Sequence, residues 1–368
     1  MTMLEFSSGK GPWTYIGKRK VLNLTGWDIL GIVSNPEFQR FLLQKIAEKD
    51  LLNRHQYVNG SLETREETTR LFCQYKGFEE TVFFAEPYSP FLSIIETLIP
   101  QGFTVLIDED FDPHISSFLR NLSDRIQFFP HNSVESLQKR LEESSSDKHL
   151  IFIQTLYPFS SDFAHLKEII ELAGINNFVV VYESWGDGFI GEKGEGLISL
   201  LRNLPANLLV TGYYCHILPF PLAYLGGYRT FIELLKNNSV TMKACPSASD
   251  LQLEVLKWFV RNVETDNLSI KRVQDNSNYL RYELLSRGFK VLGEFTPLLP
   301  LFVGERERAL EFQLELLDNG VFVKELTYPF VAPGKSRLLL IPSFLHLKED
   351  LDFAIKKIEE AGKSLGVI

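Results

Sequence analysis

Short apolar runs, each followed by a segment whose apolar positions recur at helical spacing, organise the chain as far as residue 227. Residues 80–84 (ETVFF) read as a strand and 90–98 as the helix that follows. The same alternation gives a strand at 103–108 with a helix opening at 115–121, a strand at 150–154, a helix at 163–173 and a strand at 178–182. Residues 207–212 supply one more strand. These strands are apolar without interruption, the pattern of strands covered by helices on both faces. Strand and helix in alternation predict an α/β fold built on a mostly parallel sheet.

Beyond Gly227 the pattern changes. A long helix is expected over 250–285, then strands at 290–292, 298–303, 321–324 and 337–341, and a last helix over 348–365. The expected division is an N-terminal arm over 1–45, a large α/β domain over 46–270 that includes the start of the connecting helix, and a small C-terminal α+β domain over 271–368. Ligands of such folds sit in clefts at the C-terminal ends of the parallel strands. No repeat of fixed period and no low-complexity stretch interrupts this order.

Composition narrows the function classes. With 368 residues, 45% apolar and 23% charged, the chain can bury one large core or a large and a smaller one. A net charge of −9 argues against a broad nucleic-acid or anionic-membrane surface. The three cysteines, Cys73, Cys215 and Cys245, form no CxxC pair and suit a reducing compartment. The start MTMLEFSSGKGPWTY lacks a basic segment followed by an apolar one, and no run approaches the roughly 18 apolar residues of a membrane span. A cytoplasmic protein is expected.

Four segments in order resemble one enzyme family. Residues 23–31 (NLTGWDILG) look like "NYLGL", and 129–137 (FPHNSVESL) like "F-x-H-N-D…L". Residues 181–196 (VYESWGDGFIGEKGEG) match "VDEAHSTGVLGPRGRG" without a gap, and 328–352 (YPFVAPGKSRLLLIPSFLHLKEDLD) match "PPTVPxGTSRLRIxxSAxHTxEDID". The family is that of the α-oxoamine synthases, such as 8-amino-7-oxononanoate synthase, glycine C-acetyltransferase and serine palmitoyltransferase. The resemblance implies a fold-type-I pyridoxal-phosphate (PLP) transferase: a large domain with a mainly parallel mixed sheet and a small C-terminal α+β domain. It also implies an acyl-CoA:amino-acid acyltransferase activity, PLP as cofactor, and a dimer with its sites at the interface.

The chain departs from the family pattern where the chemistry lies. Against "GTLSKALGSAGGYVAG" stands GYYCHILPFPLAYLGG at 212–227, which puts His216 at the Schiff-base lysine. An aldimine needs a primary amine, which imidazole lacks. Cys215 and Tyr213 replace hydroxyl residues beside that lysine. Tyr182 stands at the aspartate that holds the pyridinium proton, and Trp185 at the histidine of the same motif. Asp112 falls at the ring-stacking histidine, with His114 two residues away. Residues 85–91 (AEPYSPF) replace "SSGYAAN", so Glu86 repels a phosphate and Pro87 removes an N–H donor, while Tyr88 stays as a candidate contact. Residues 51–56 (LLNRHQ) replace "GSGGSR". Leu339 stands at the carboxylate-binding arginine, whose bidentate pair it cannot make.

Replacement roles remain open. Cys215 and His216 offer a thiol and a base, although adjacent residues on one strand point to opposite faces. Tyr182 and Trp185 either stack a new planar ligand or plug the site. Lys243, aligned with a segment that reaches the PLP phosphate across the dimer, is either a displaced amine or anion ligand, or a solvated lysine. Glu109, Asp110 and Asp112 with His114 fit no metal-ligand spacing, and no metal is expected. His131 and His346 coincide with family motif positions; His55, His149 and His165 are scattered. No cofactor is expected with assurance, PLP entering by resemblance alone, and an acyl-CoA-like ligand stays open. The expected function is a catalytically degenerate homologue acting as partner subunit, sensor or scaffold, in a homodimer or a heterodimer with an active paralogue. The alternatives are an active PLP enzyme using Lys243 and a PLP-independent acyl-CoA enzyme using Cys215 and His216.

Overall fold

The structure, a computed structural model, describes residues 6–7, 11–26, 28–49, 51, 63–201, 203–245 and 247–368. Trp27, His55, Pro246 and most of the 51–56 segment therefore lie outside the described residues. Two compact units divide the chain: residues 40–157 with 163–266, and residues 1–39 with 158–162 and 267–368.

The larger unit is built on a seven-stranded mixed sheet. Its strands are β1 (Glu80–Phe84), β2 (Thr104–Asp108), β3 (Ile126–Phe129), β4 (His149–Gln154), β5 (Phe178–Tyr182), β6 (Leu208–Tyr213) and β7 (Ala223–Gly227), in the order β1-β7-β6-β5-β4-β2-β3. Only β7 runs antiparallel to its neighbours. The central strands β2, β4 and β5 are buried almost throughout, which is why HLIFIQ and FVVVY carry no polar alternation. Register places Tyr182 beside Gln154 and Thr211, so the C-terminal ends of three parallel strands finish at one level. Helices α1 (Glu63–Lys76), α2 (Tyr88–Leu98) and α3 (Pro113–Leu119) precede or follow these strands. Asp112 fixes the start of α3: its carboxylate accepts from the N–H groups of His114 (2.9 Å) and Ile115 (3.3 Å), and Pro113 supplies a first-turn residue that needs no acceptor.

The smaller unit carries a three-stranded antiparallel sheet in which Ser336–Leu340 lies between Leu299–Gly304 and Lys324–Leu326. Helices Leu268–Ser286, Arg306–Asp318 and Lys348–Ser364 contribute Leu280, Phe312 and Ile355 to its core.

Several expected elements differ. The expected helix at 163–173 begins only at Leu166, because Phe163 belongs to a short strand, Asp162–Phe163. The long helix over 250–285 is two helices, Asp250–Thr265 and Leu268–Ser286, since Asp266 takes an extended conformation (φ −147°, ψ 113°). Residues 290–292 hold an isolated bridge, Val291 to Leu301, in place of a strand. Residues 321–324 split between Val321–Phe322 and Lys324–Leu326, which pair in different sheets. Among the described residues no helix is long and apolar enough to cross a membrane.

Candidate functional site

The strand ends of the larger unit close over an aromatic cluster. Phe91 of α2 meets Tyr182 edge-on at 5.4 Å between ring centroids, and Phe111 lies 5.8 Å from the same ring. Phe152 of β4 completes the set, 5.7 Å from Phe91. Tyr182 is 2% exposed, and burial, with Asp112 nearby, pushes its phenol well above the ordinary range. It is a neutral group in an apolar wall. Asp112 donates its own N–H to Gln154 Oε1 (3.1 Å), and burial raises its carboxyl pKa.

After β5 the chain turns through 183–198, and a network of buried side chains holds that loop. Glu183 accepts from the N–H groups of Leu197 (3.2 Å) and Ile198 (2.9 Å) and from Thr155 Oγ1 (3.0 Å). Lys76, reaching in from α1, places Nζ 2.5 Å from Asp187 Oδ1, with both side chains fully buried. Tyr224 donates to the other Asp187 oxygen at 2.9 Å. Gly212 is required beneath this pair, because a Cβ there would lie 2.3 Å from Asp187 Oδ2. Burial raises Asp187, and raises Glu183 to about 7 despite the charge of Lys76. The sequence reading missed this network: Glu183 and Asp187 lie in the 181–196 motif segment, but Lys76 is 111 residues before Asp187 and no spacing links the two.

The loop delivers Trp185 onto His216. The two rings stack with centroids 3.6 Å apart and planes inclined by 23°. His216 and Cys215 lie in a turn after β6, where Leu218 N–H bonds Tyr214 O (3.0 Å). The strand expected to carry them ends at Tyr213, so the opposite-faces argument does not apply. Burial lowers the His216 pKa to about 4, leaving a neutral imidazole at pH 7. Cys215 is still exposed as a residue, yet burial, with Asp112 adding, pushes its thiol up to about 12. A protonated thiol is a poor nucleophile.

Across the site, the start of α2 is capped from within. Glu86 accepts from the N–H groups of Tyr88 (2.6 Å) and Ser89 (3.1 Å), and from the Ser89 hydroxyl. Tyr213 lies near both Glu86 and Cys215, and burial followed by their charges raises its phenol. The structure thus gathers Glu86, Asp112, Tyr182, Trp185, Tyr213, Cys215 and His216 at one end of the sheet. Tyr88 faces Phe118, with ring centroids 5.4 Å apart, and His114 is exposed on the first turn of α3.

Lys243 is engaged elsewhere: its Nζ donates to Asn237 O (2.6 Å), near the C-terminus of the helix Arg229–Asn238. His131 pairs with buried Asp108 (2.9 Å), and His149 with Asn177 (3.0 Å). In the smaller unit, Leu339 is buried within Ser336–Leu340 opposite Pro300 and Lys324. His346 Nδ1 accepts from Ser343 N–H (2.9 Å), and burial lowers its pKa to about 4. Among the described residues no group of three His, Cys, Asp or Glu side chains is placed to hold a metal ion.

Two measurements probe these electrostatics. An unfolded histidine protonates near 6.5 and His216 only near 4, so the unfolded state binds more protons between those values. Stability therefore falls as pH drops through that window, by up to about 3 kcal/mol for this residue. His216→Phe keeps a ring on Trp185 and removes the proton. Urea unfolding at pH 7 and pH 4.5 should show a smaller acid loss in the variant, with the part due to His346 remaining; an unchanged loss would clear His216 of the effect. For Cys215, alkylation by iodoacetamide at pH 8, followed by peptide mapping, should run on the order of a hundredfold slower than for a free thiol. Alkylation at the free-thiol rate would return Cys215 to the list of nucleophiles.

No family model matches the chain. Curated relatives do: it is 26% identical over 377 residues to 8-amino-7-oxononanoate synthase of Petrotoga mobilis, covering 100% of this chain and 95% of that one. The enzyme of the same name from Thermoanaerobacter pseudethanolicus is 27% identical over 378 residues, covering 100% and 94%. Among solved structures, a Sphingomonas wittichii serine palmitoyltransferase superposes with a TM-score of 0.86 at 21% identity, covering 97% of this chain and 91% of that one. The 8-amino-7-oxononanoate synthase of Francisella tularensis gives 0.80 at 15%, covering 94% and 98%. Over its length the chain is similar to 8-amino-7-oxononanoate synthases, and it has the fold-type-I architecture of PLP-dependent transferases.

Proposed function

We propose that the chain is a catalytically degenerate homologue of the 8-amino-7-oxononanoate synthase-like enzymes, unable to form a PLP internal aldimine, and that it acts as a partner subunit, a sensor or a scaffold. The observation that carries this reading is the Trp185–His216 stack at 3.6 Å. By motif alignment the family's lysine falls at His216, and here that residue is a neutral imidazole covered by an indole.

The neighbouring groups support it. PLP needs an amine to hold its aldehyde, an acid beside its ring nitrogen and N–H donors for its phosphate. The aligned positions offer an imidazole, a buried phenol and a helix end already bonded to Glu86. These residues do not fit the cofactor. Loss of the lysine alone would cost several orders of magnitude in rate, on the order of deleting a catalytic nucleophile. The Lys243 alternative is weakened because its ammonium bonds a helix carbonyl, and the Cys215 alternative because its thiol stays protonated. The partner is a second copy or an active paralogue, in the cytoplasm.

Absorbance during titration with PLP, followed by borohydride trapping and peptide mapping, tests the loss of chemistry. The expected spectrum is that of free PLP, with no trapped lysine. A visible aldimine band trapped at one lysine, Lys243 included, would sink the reading. Affinity purification from the native cell tests the subunit role: an active paralogue should accompany the chain, and a pure homodimer would count against that form.

A further inference from the structure

Glutamate is not among the residues that usually cap helices, because its side chain is one methylene too long for the ordinary cap. Glu86 nonetheless holds the start of α2 by bonding the N–H groups two and three residues ahead, Tyr88 at 2.6 Å and Ser89 at 3.1 Å, together with the Ser89 hydroxyl. Those are the donors that an external anion would use at a helix N-terminus, where the summed peptide dipoles place roughly half a positive charge. Ser89 is buried and Glu86 half-buried, and the charge of Glu86 is near enough to help raise the Tyr213 phenol. A second anion there would meet both occupied donors and a like charge.

We propose that the chain carries its own anion at this site: the Glu86 carboxylate fills the phosphate-type position at the head of α2, while the Trp185–His216 stack occupies the ring position, so the folded protein is complete without a bound phosphorylated cofactor. The inference rests on the reading above for the identity of the site, and on the hydrogen bonds of Glu86 for its filling. It makes Glu86 a positioning residue, an internal substitute for a ligand.

Thermal unfolding of the full chain with inorganic phosphate, against chloride at equal ionic strength, tests the filling. The wild-type midpoint should not respond to phosphate. Glu86→Ala frees the donors, so its midpoint should fall by a few degrees, and millimolar phosphate should restore most of the loss. Glu86→Gln keeps an acceptor oxygen without the charge, and should lie between the two with a weaker phosphate response. A merely structural role for Glu86 predicts the loss in Glu86→Ala without rescue, and that result would overturn the proposal. So would a wild-type midpoint that climbs with phosphate. If Glu86→Ala does not fold, the wild-type titration and the phosphate response of Glu86→Gln decide the matter by the same criteria. Inorganic phosphate has no aldehyde, so the two claims fail separately. A trapped PLP–lysine adduct sinks the functional reading, whereas a phosphate-responsive wild type sinks only the internal anion.

Discussion

The buried ion pair between Lys76 and Asp187 holds the geometry on which the rest of the site depends. At 2.5 Å, with neither side chain exposed, it ties α1 to the loop that follows β5. Glu183 anchors the same loop through three donors, and Tyr224 bonds the second Asp187 oxygen. Removing one partner of such a pair leaves an uncompensated buried charge, typically at a cost of about 3–5 kcal/mol. The loop therefore has one well-defined path, and Trp185, between Glu183 and Asp187 in sequence, is carried by it onto His216.

Around that stack the electrostatics run toward neutrality. Burial pushes Tyr182 and Cys215 up, lowers His216 to about 4 and raises Asp112. Each shift favours the uncharged form, as desolvation requires of acids and bases alike. Sites that run acid–base chemistry at pH 7 instead push two titratable groups apart, so that one donates and the other accepts. Here the shifts all run in one direction, and the Glu86 carboxylate is spent on backbone N–H groups.

What could be read in the sequence follows from burial. The strands at 150–154 and 178–182 were legible because they lie inside the sheet and carry the apolar runs LIFI and FVVVY, and that at 80–84 was legible from its apolar end Val82–Phe84. Ile126–Phe129 was not, since it is a short edge strand with mixed exposure. Ala223–Gly227 escaped because AYLGG ends in two glycines, the first of which lets Phe78 approach so closely that a Cβ would lie 2.3 Å from its ring. Motif alignment gathered His216, Tyr182, Trp185 and Asp112 as candidates, but not the contacts between them. Glu86 was read as a charge that repels phosphate; its bonds to Tyr88 and Ser89 depend on the local turn, which no spacing rule encodes.

The proposed loss of cofactor chemistry and the density of aromatic contacts have a common physical origin. A fold that gathers strand ends around a bound ring has a hollow there, and an apolar hollow left empty costs about 24 cal/mol per Å³. Side chains that occupy it recover that energy, and flat rings do so with little conformational entropy to lose. Phe91, Phe111, Phe152 and Tyr182 pack against one another, and the indole of Trp185 stacks on the imidazole of His216. By motif alignment Tyr182, Trp185 and His216 stand where the resembled family has an aspartate, a histidine and a lysine. Stability and reactivity therefore compete for the same few positions, and at these positions the chain carries the side chains that pack.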